Sequence, residues 1–253
     1  MKNIKSAVMV LLLAGAAFNA KADLTTVTTA DGNGADAYVQ GGSAANTSFG
    51  TSADLFTGTG GSADQVFKTY FRFDISNLTI DTSPFATPAV LSFTTIDTLS
   101  NTGFSLYLVK DGTAGDLLGG WDETNITYNN APANDIAGGG LLNSGSILLG
   151  SFNLNALSGH TVAIGLNPAV LSTDTNGLLT FALVRTSSGL QPDFASKENN
   201  SPSVAPPSLT VPTVVVEAVP EPAEIVSAVA FLAAIGGLYL GKKRKSALQA
   251  QVA

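Results

Sequence analysis

A period of two constrains this chain more than any other feature. Short segments alternating between apolar and polar residues recur along it, separated by glycine-, asparagine- and proline-rich breaks. Successive side chains of a strand point to opposite faces, so alternation over four to eight residues reads as a half-buried strand. In residues 65–75 (QVFKTYFRFDI) one parity carries Phe67, Phe71, Phe73 and Ile75 and the other Lys68, Tyr70, Arg72 and Asp74. Phe104, Leu106 and Leu108 form a second buried set, Val162, Ile164 and Leu166 a third, and Leu179, Phe181 and Leu183 a fourth. Shorter strands are expected at 36–40, 53–57, 89–96, 125–128, 147–152 and 209–216. Short strands at this spacing predict an all-β fold, an antiparallel β-sandwich of jelly-roll type over residues 23–216.

The two ends of the chain carry a different signal. Lys2 and Lys5 precede an apolar run from Val8 to Ala17, and Ala20-Lys21-Ala22 has the small-x-small form of a cleavage site. This pattern predicts a signal peptide over 1–22, removed by signal peptidase after passage through the Sec translocon, with Asp23 as the mature N-terminus. At the other end a linker over 217–222 holds Val219, Pro220, Glu221 and Pro222, and an apolar stretch follows over 223–241. The prolines mark the start of a helix from outside it. About 20 apolar residues cross a bilayer core, so this stretch is expected to form a short transmembrane helix. Lys242, Lys243, Arg244 and Lys245 then open a tail over 242–253 that the positive-inside bias holds in the cytoplasm.

The VPEP motif, apolar helix and basic cluster together resemble the PEP-CTERM sorting signal. That resemblance implies recognition by an exosortase, processing near Val219–Pro222, and a transient inner-membrane intermediate. It further implies release to the cell surface or extracellular matrix of a Gram-negative bacterium that makes extracellular polysaccharide. The tail of eight residues after the cluster is longer than that pattern usually carries.

Between the two ends the charge balance is acidic. Eighteen of the nineteen Asp and Glu residues lie in 23–222, but only Lys68, Arg72, Lys110, Arg185 and Lys197 of the twelve Lys and Arg residues. Nucleic acid, which needs clustered cations, is therefore not an expected partner. The chain has no cysteine, which excludes thiol catalysis and thiolate metal sites and leaves an exported domain to be held by its core or by metal ions.

Four motifs of the body resemble a family. They are DAYVQGGSAANTSFGTSADLFTG from Asp36, KTYFRFDIS from Lys68, WDETNITYNNAP from Trp121 and FASKENNSPSVAPPSLTV from Phe194. Their order and spacing are similar to the DNRLRE-type domain, itself similar to the family-96 carbohydrate-binding modules. The resemblance implies a β-sandwich attached to polysaccharide-active or surface proteins, binding acidic polysaccharide such as alginate in some relatives. Tyr128 departs from the pattern, which tends to have Trp there, and so does the acidic surface.

Residues two apart on a strand are neighbours on one face. Lys68, Tyr70 and Arg72 are therefore a candidate polysaccharide-binding ladder, an aromatic ring for stacking between two cations, and Tyr107 extends it. Against this stands an ordinary solvated sheet face on which Asp74 neutralises Arg72. Trp121 offers a second sugar platform, with a core-capping role as the competing reading. Asp31 and Asp36 in a glycine-rich loop, with Glu198, form a candidate calcium site, since calcium takes oxygen ligands; a simple turn is the alternative. Glu198 has Lys197 and Arg185 as rival partners. His160 is the only histidine and gives no triad. Asp122 and Glu123 are adjacent, so strand geometry would point them apart, against a paired-carboxylate glycosidase. No cofactor other than structural calcium is expected. The chain reads as a non-enzymatic module that engages extracellular polysaccharide. The alternatives are a structural or adhesive biofilm protein without a glycan ligand and, more distantly, a polysaccharide lyase or hydrolase.

Overall fold

A computed structural model of the chain describes residues 22–58, 66–83, 86–110, 112–113, 120–136, 142–187, 191–202 and 204–214. The expected PEP linker, apolar helix and basic tail, and the signal peptide up to Lys21, lie outside the described residues. Eleven strands are described: β1 (Ala22–Thr28), β2 (Ala35–Gln40), β3 (Asp54–Phe56), β4 (Phe67–Asp74), β5 (Ala89–Thr94), β6 (Leu99–Val109), β7 (Ser146–Ala156), β8 (Thr161–Leu166), β9 (Leu178–Arg185), β10 (Asp193–Ala195) and β11 (Ser208–Val214). A 3-10 turn at Gly42–Ala44 follows β2, and a short α-helix, α1 (Pro168–Leu171), joins β8 to β9. Asn167 caps it through its side chain and a proline opens it, the usual start signals.

The strands form a four-stranded sheet, β1-β11-β5-β8, and a five-stranded sheet, β2-β4-β9-β6-β7, with β3 and β10 as a separate pair. All pairings are antiparallel. From β4 onward the chain crosses repeatedly between the sheets, so that β1-β11-β5-β8 faces β4-β9-β6-β7 in the strand order of a jelly roll. The expected antiparallel sandwich is what the chain forms.

The core between the sheets comes from the odd parity of β4 and its counterparts. Phe71 and Phe73 meet Phe104, Leu106, Leu108, Leu179, Phe181 and Leu183 from their own sheet and Leu91, Phe93, Leu209 and Val211 from the opposite one. The rings of Phe71 and Phe93 stack across the gap at 5.7 Å, and Phe194 meets Phe93 edge-on at 4.9 Å. Burying each such side chain stabilises the fold by about 1.5–3 kcal/mol, enough in sum to replace the missing disulfides.

Three local expectations are corrected. The segment 125–128 is a turn, not a strand, closed by Ile126 N donating to the Asp122 carbonyl at 2.8 Å. Its apolar residues pack under a loop, where burial does not require strand periodicity. β1 and β10 are additional strands. β1 is rich in threonine and obtains its order from full pairing with β11, supported by Thr26 and Thr210 hydroxyls in contact at 2.8 Å.

β10 also brings acids together. Asp193 lies beside Asp97 and Asp54, and burial followed by the Asp97 charge raises its carboxyl pKa. The folded protein therefore holds a proton that the unfolded chain, at 3.8, has already released. Stability from this group is greatest in acid and is lost as pH rises through the folded pKa. Asp193→Asn is expected to flatten that decline in a urea-denaturation series from pH 4 to pH 8. The gain at the alkaline end is on the order of 1 kcal/mol once solvent screening of this half-buried group is discounted. A decline of unchanged steepness in the variant would assign the proton elsewhere.

Candidate functional site

The face of β4 expected to meet solvent is covered instead. Lys68 and Tyr70 are fully buried and Arg72 is 8% exposed. Over them lies the segment 120–136, whose Trp121, Ile126, Tyr128, Ala131 and Ala133 form a second core with Tyr70, Ala182, Val109 and the small β2 residues Ala35, Ala37 and Val39. The alanines of β2 leave the space into which the covering segment settles. Tyr107, expected to extend a sugar face, is 8% exposed on β6. As placed here, none of these four residues presents a stacking ring or a free charge to a polysaccharide.

Each buried polar group of the ladder is matched by the cover. Lys68 Nζ donates to Asn134 Oδ1 at 2.5 Å and stands over the Tyr128 ring at 5.3 Å. Tyr70 Oη donates to the Pro132 carbonyl at 3.2 Å, and burial raises its pKa strongly. Arg72 donates through Nε to the Asn33 carbonyl at 2.8 Å and through Nη1 to the Trp121 carbonyl. Its guanidinium also lies 5.0 Å from the centre of the Trp121 ring. Buried charge is tolerated only when paired or hydrogen-bonded, and carbonyls and aromatic faces perform that role here. Asp74 does not neutralise Arg72; it accepts from Asn33 and Ser76 instead. Gly120, with φ +78°, lets the chain pass close over Arg72, because a Cβ there would stand 2.6 Å from Nη1.

Trp121 takes the structural role. It is 4% exposed, meets Tyr70 edge-on at 6.3 Å and donates its indole N–H to Thr180 Oγ1 at 3.3 Å. The Asn129–Pro132 stretch forms consecutive turns, with Asn130 Oδ1 accepting from Thr127 N at 2.6 Å.

The acidic residues divide differently from the expected set. Asp31 is exposed and closes the β1–β2 turn, accepting from Thr28 N at 2.7 Å. It does not join the others, because a carboxylate satisfied by its own turn points along the turn. Asp36 and Glu198 do come together, and Glu123 completes the group: one oxygen from each lies within 4.8 Å of the others. From the sequence, Glu123 reads as a neighbour of Trp121 in a sugar site leading into Asn129, Asn130 and Pro132, or as one of a carboxylate pair with Asp122, and not as a metal ligand. The helical turn that begins at Asp122 instead aims Glu123 back at β2, where its Oε1 accepts from Asp36 N at 2.7 Å.

Asp36 is fully buried, and its Oδ2 accepts from Thr29 Oγ1 at 2.5 Å and from Lys197 N at 3.1 Å. Burial pushes its carboxyl up to about 7; the Thr29 hydrogen bond opposes this, and the charges of Glu198 and Glu123 add to it. Lys197 Nζ bridges to Glu123 Oε2 at 2.7 Å and stands 4.0 Å from Glu198 Oε1. Gly50 packs so closely on the Glu123 carbonyl that a Cβ would fall 1.7 Å from it, which fixes the Glu123 backbone.

Of the five cations in the body, Lys68, Arg72 and Arg185 are buried and Lys197 is tied to Glu123. Lys110 alone among the five is exposed, and it donates to the Ser144 carbonyl at 3.0 Å. His160 stands exposed on the turn between β7 and β8.

The described residues thus form an antiparallel sandwich whose buried charged groups hold its own cover in place. The chain belongs to carbohydrate-binding module family 96, whose model matches residues 27–212. Such families comprise binding modules, generally non-catalytic, and the match covers the segment over β4 and both sheets apart from most of β1 and the last residues of β11. No curated protein matches the chain.

Proposed function

We propose that this chain is an exported, non-catalytic polysaccharide-binding protein of the cell surface or extracellular matrix. The observation that carries this reading is the family match over nearly the whole sandwich. The ends support its delivery: a signal peptide for the Sec translocon and signal peptidase, then a VPEP motif, apolar stretch and basic cluster for an exosortase acting at the inner membrane of a Gram-negative bacterium.

The surface argues for a neutral glycan. An anionic chain of uronic acids requires exposed, converging cations, and this body exposes one lysine against a large excess of carboxylates. Neutral sugars are held by hydroxyl-directed hydrogen bonds and aromatic stacking, which an acidic surface does not repel. Affinity electrophoresis of the protein through gels containing neutral glucans, neutral galactans or alginate tests this reading. Retardation by a neutral polymer, with alginate leaving mobility unchanged, is expected. Alginate as the strongest retardant would overturn the neutral assignment. No retardation by any polymer would leave the chain a structural or adhesive matrix protein, and loss of polymer viscosity on mixing would make it an enzyme.

A further inference from the structure

We propose that Asp36, Glu123 and Glu198 form a binding site for a divalent cation, and that the chemistry of the site selects calcium. This inference is independent of the glycan reading. It rests on two separate observations. The first is convergence: oxygens from β2, from the turn after Trp121 and from the loop after β10 lie within 4.8 Å of one another. Calcium holds oxygens at about 2.3–2.6 Å, so oxygens on opposite sides of one ion stand roughly 5 Å apart, and the three fit a single coordination sphere. The second is that the acids are incompletely satisfied. Asp36 Oδ1 and Glu198 Oε2 are buried and receive no hydrogen bond. A buried carboxylate oxygen without a donor is costly, and native structures seldom keep one without an ion, a water or a role.

Lys197 does not account for the arrangement. Its single charge is placed on Glu123, at 2.7 Å, and it stands at 4.0 Å from Glu198 through Oε1, leaving Oε2 bare. One ammonium faces three carboxylates. Its stem is partly exposed, so it can leave for solvent when an ion enters.

The donors are all hard oxygens. The chain has no cysteine, and its one histidine is on the β7–β8 turn, so zinc and copper find no soft or imidazole ligand. Magnesium demands near-ideal octahedral geometry and parts reluctantly with its waters, whereas calcium accepts irregular and bidentate carboxylates. The scaffold exists before the ion: Glu123 Oε1 is held by Asp36 N, and Asp36 Oδ2 by Thr29 and Lys197 N. An ion here ties β2 and the loop after β10 to the segment that covers Lys68, Tyr70 and Arg72.

The test uses the full chain in detergent, stripped with a chelator and titrated with calcium chloride alone. One equivalent is expected to bind, raising Tm by about 5 °C at saturation. Glu123→Gln and Glu198→Gln should each weaken calcium at least about tenfold, since each removes a charged ligand. Their circular dichroism in chelator should match the parent. Lys197→Met should bind calcium as tightly or more tightly, because the competing ammonium is gone. A second readout needs no variant: terbium bound at Glu123 should luminesce on excitation of Trp121, the only tryptophan, and calcium should quench that emission. The proposal is overturned by the absence of any binding heat or Tm rise at about 10 mM calcium, above the affinity range of extracellular calcium modules. It is equally overturned by a rise that sodium chloride of equal ionic strength reproduces, or by one that both glutamine variants retain in full.

Discussion

Asn134→Ala is expected to destabilise the protein by about 1.5–3 kcal/mol, the range for a hydrogen bond to a charged group. Lys68 is fully buried, and its ammonium donates to Asn134 Oδ1. The same amide donates through Nδ2 to the Tyr128 carbonyl, so one side chain both satisfies the cation and holds the aromatic ring above it. Alanine removes both contacts at once. Lys68→Met removes the charge together with its need for a partner and should cost only about 1–2 kcal/mol. The double variant Lys68→Met/Asn134→Leu should be more stable than Asn134→Ala alone, a non-additivity that identifies the pair as a unit. Equilibrium urea unfolding measures all three; the midpoint should move while the denaturant slope stays constant. A loss below about 1 kcal/mol for Asn134→Ala would mean that the Tyr128 ring and the Asp135 charge hold the ammonium without the amide.

The same lysine leaves a mark on alkaline stability. Burial pulls its pKa down to about 8 from the unfolded 10.5. Between these values the folded protein has shed a proton that the unfolded chain still binds, so stability rises with pH across that window. Lys68→Met should abolish the rise.

Trp121→Ala is expected to cost about 3–5 kcal/mol, as for large-to-small changes in a core. The indole roofs Tyr70, lies under the Arg72 guanidinium and donates to Thr180. Its removal opens the second core to water while leaving the core between the sheets intact. Trp121→Phe keeps a ring and loses the N–H bond, so about 1–2 kcal/mol is the expected cost. A sugar platform predicts the reverse pattern, in which alanine spares stability and removes binding. Because Trp121 is the only tryptophan, native fluorescence reports it directly. Emission of the buried-indole type, unmoved by any polysaccharide that binds, is expected, and emission of the exposed type would refute the covered arrangement.

These results separate what each level of description determines. The alternation in 67–74, 104–108, 162–166 and 179–183 fixes strands and names the faces that form the main core, because a strand with one apolar parity has a single way to bury it. The motif order likewise carries the family. The ends lie outside the described residues, and what is expected of them rests on composition and charge order alone. Periodicity separates the two faces of a strand without saying what each one meets. Lys68, Tyr70 and Arg72 resemble a solvent face because polar side chains usually face water, and only the tertiary structure lays 120–136 over them. The signal available in the sequence was Ala35 and Ala37 on β2, small residues that leave room for a cover. The acidic cluster follows the same logic. Asp36 and Glu123 stand 87 positions apart, and no local spacing records that the Asp122 turn folds back to β2. Local periodicity follows from the bonding geometry of the chain itself, whereas this site depends on where separate segments come to rest against one another.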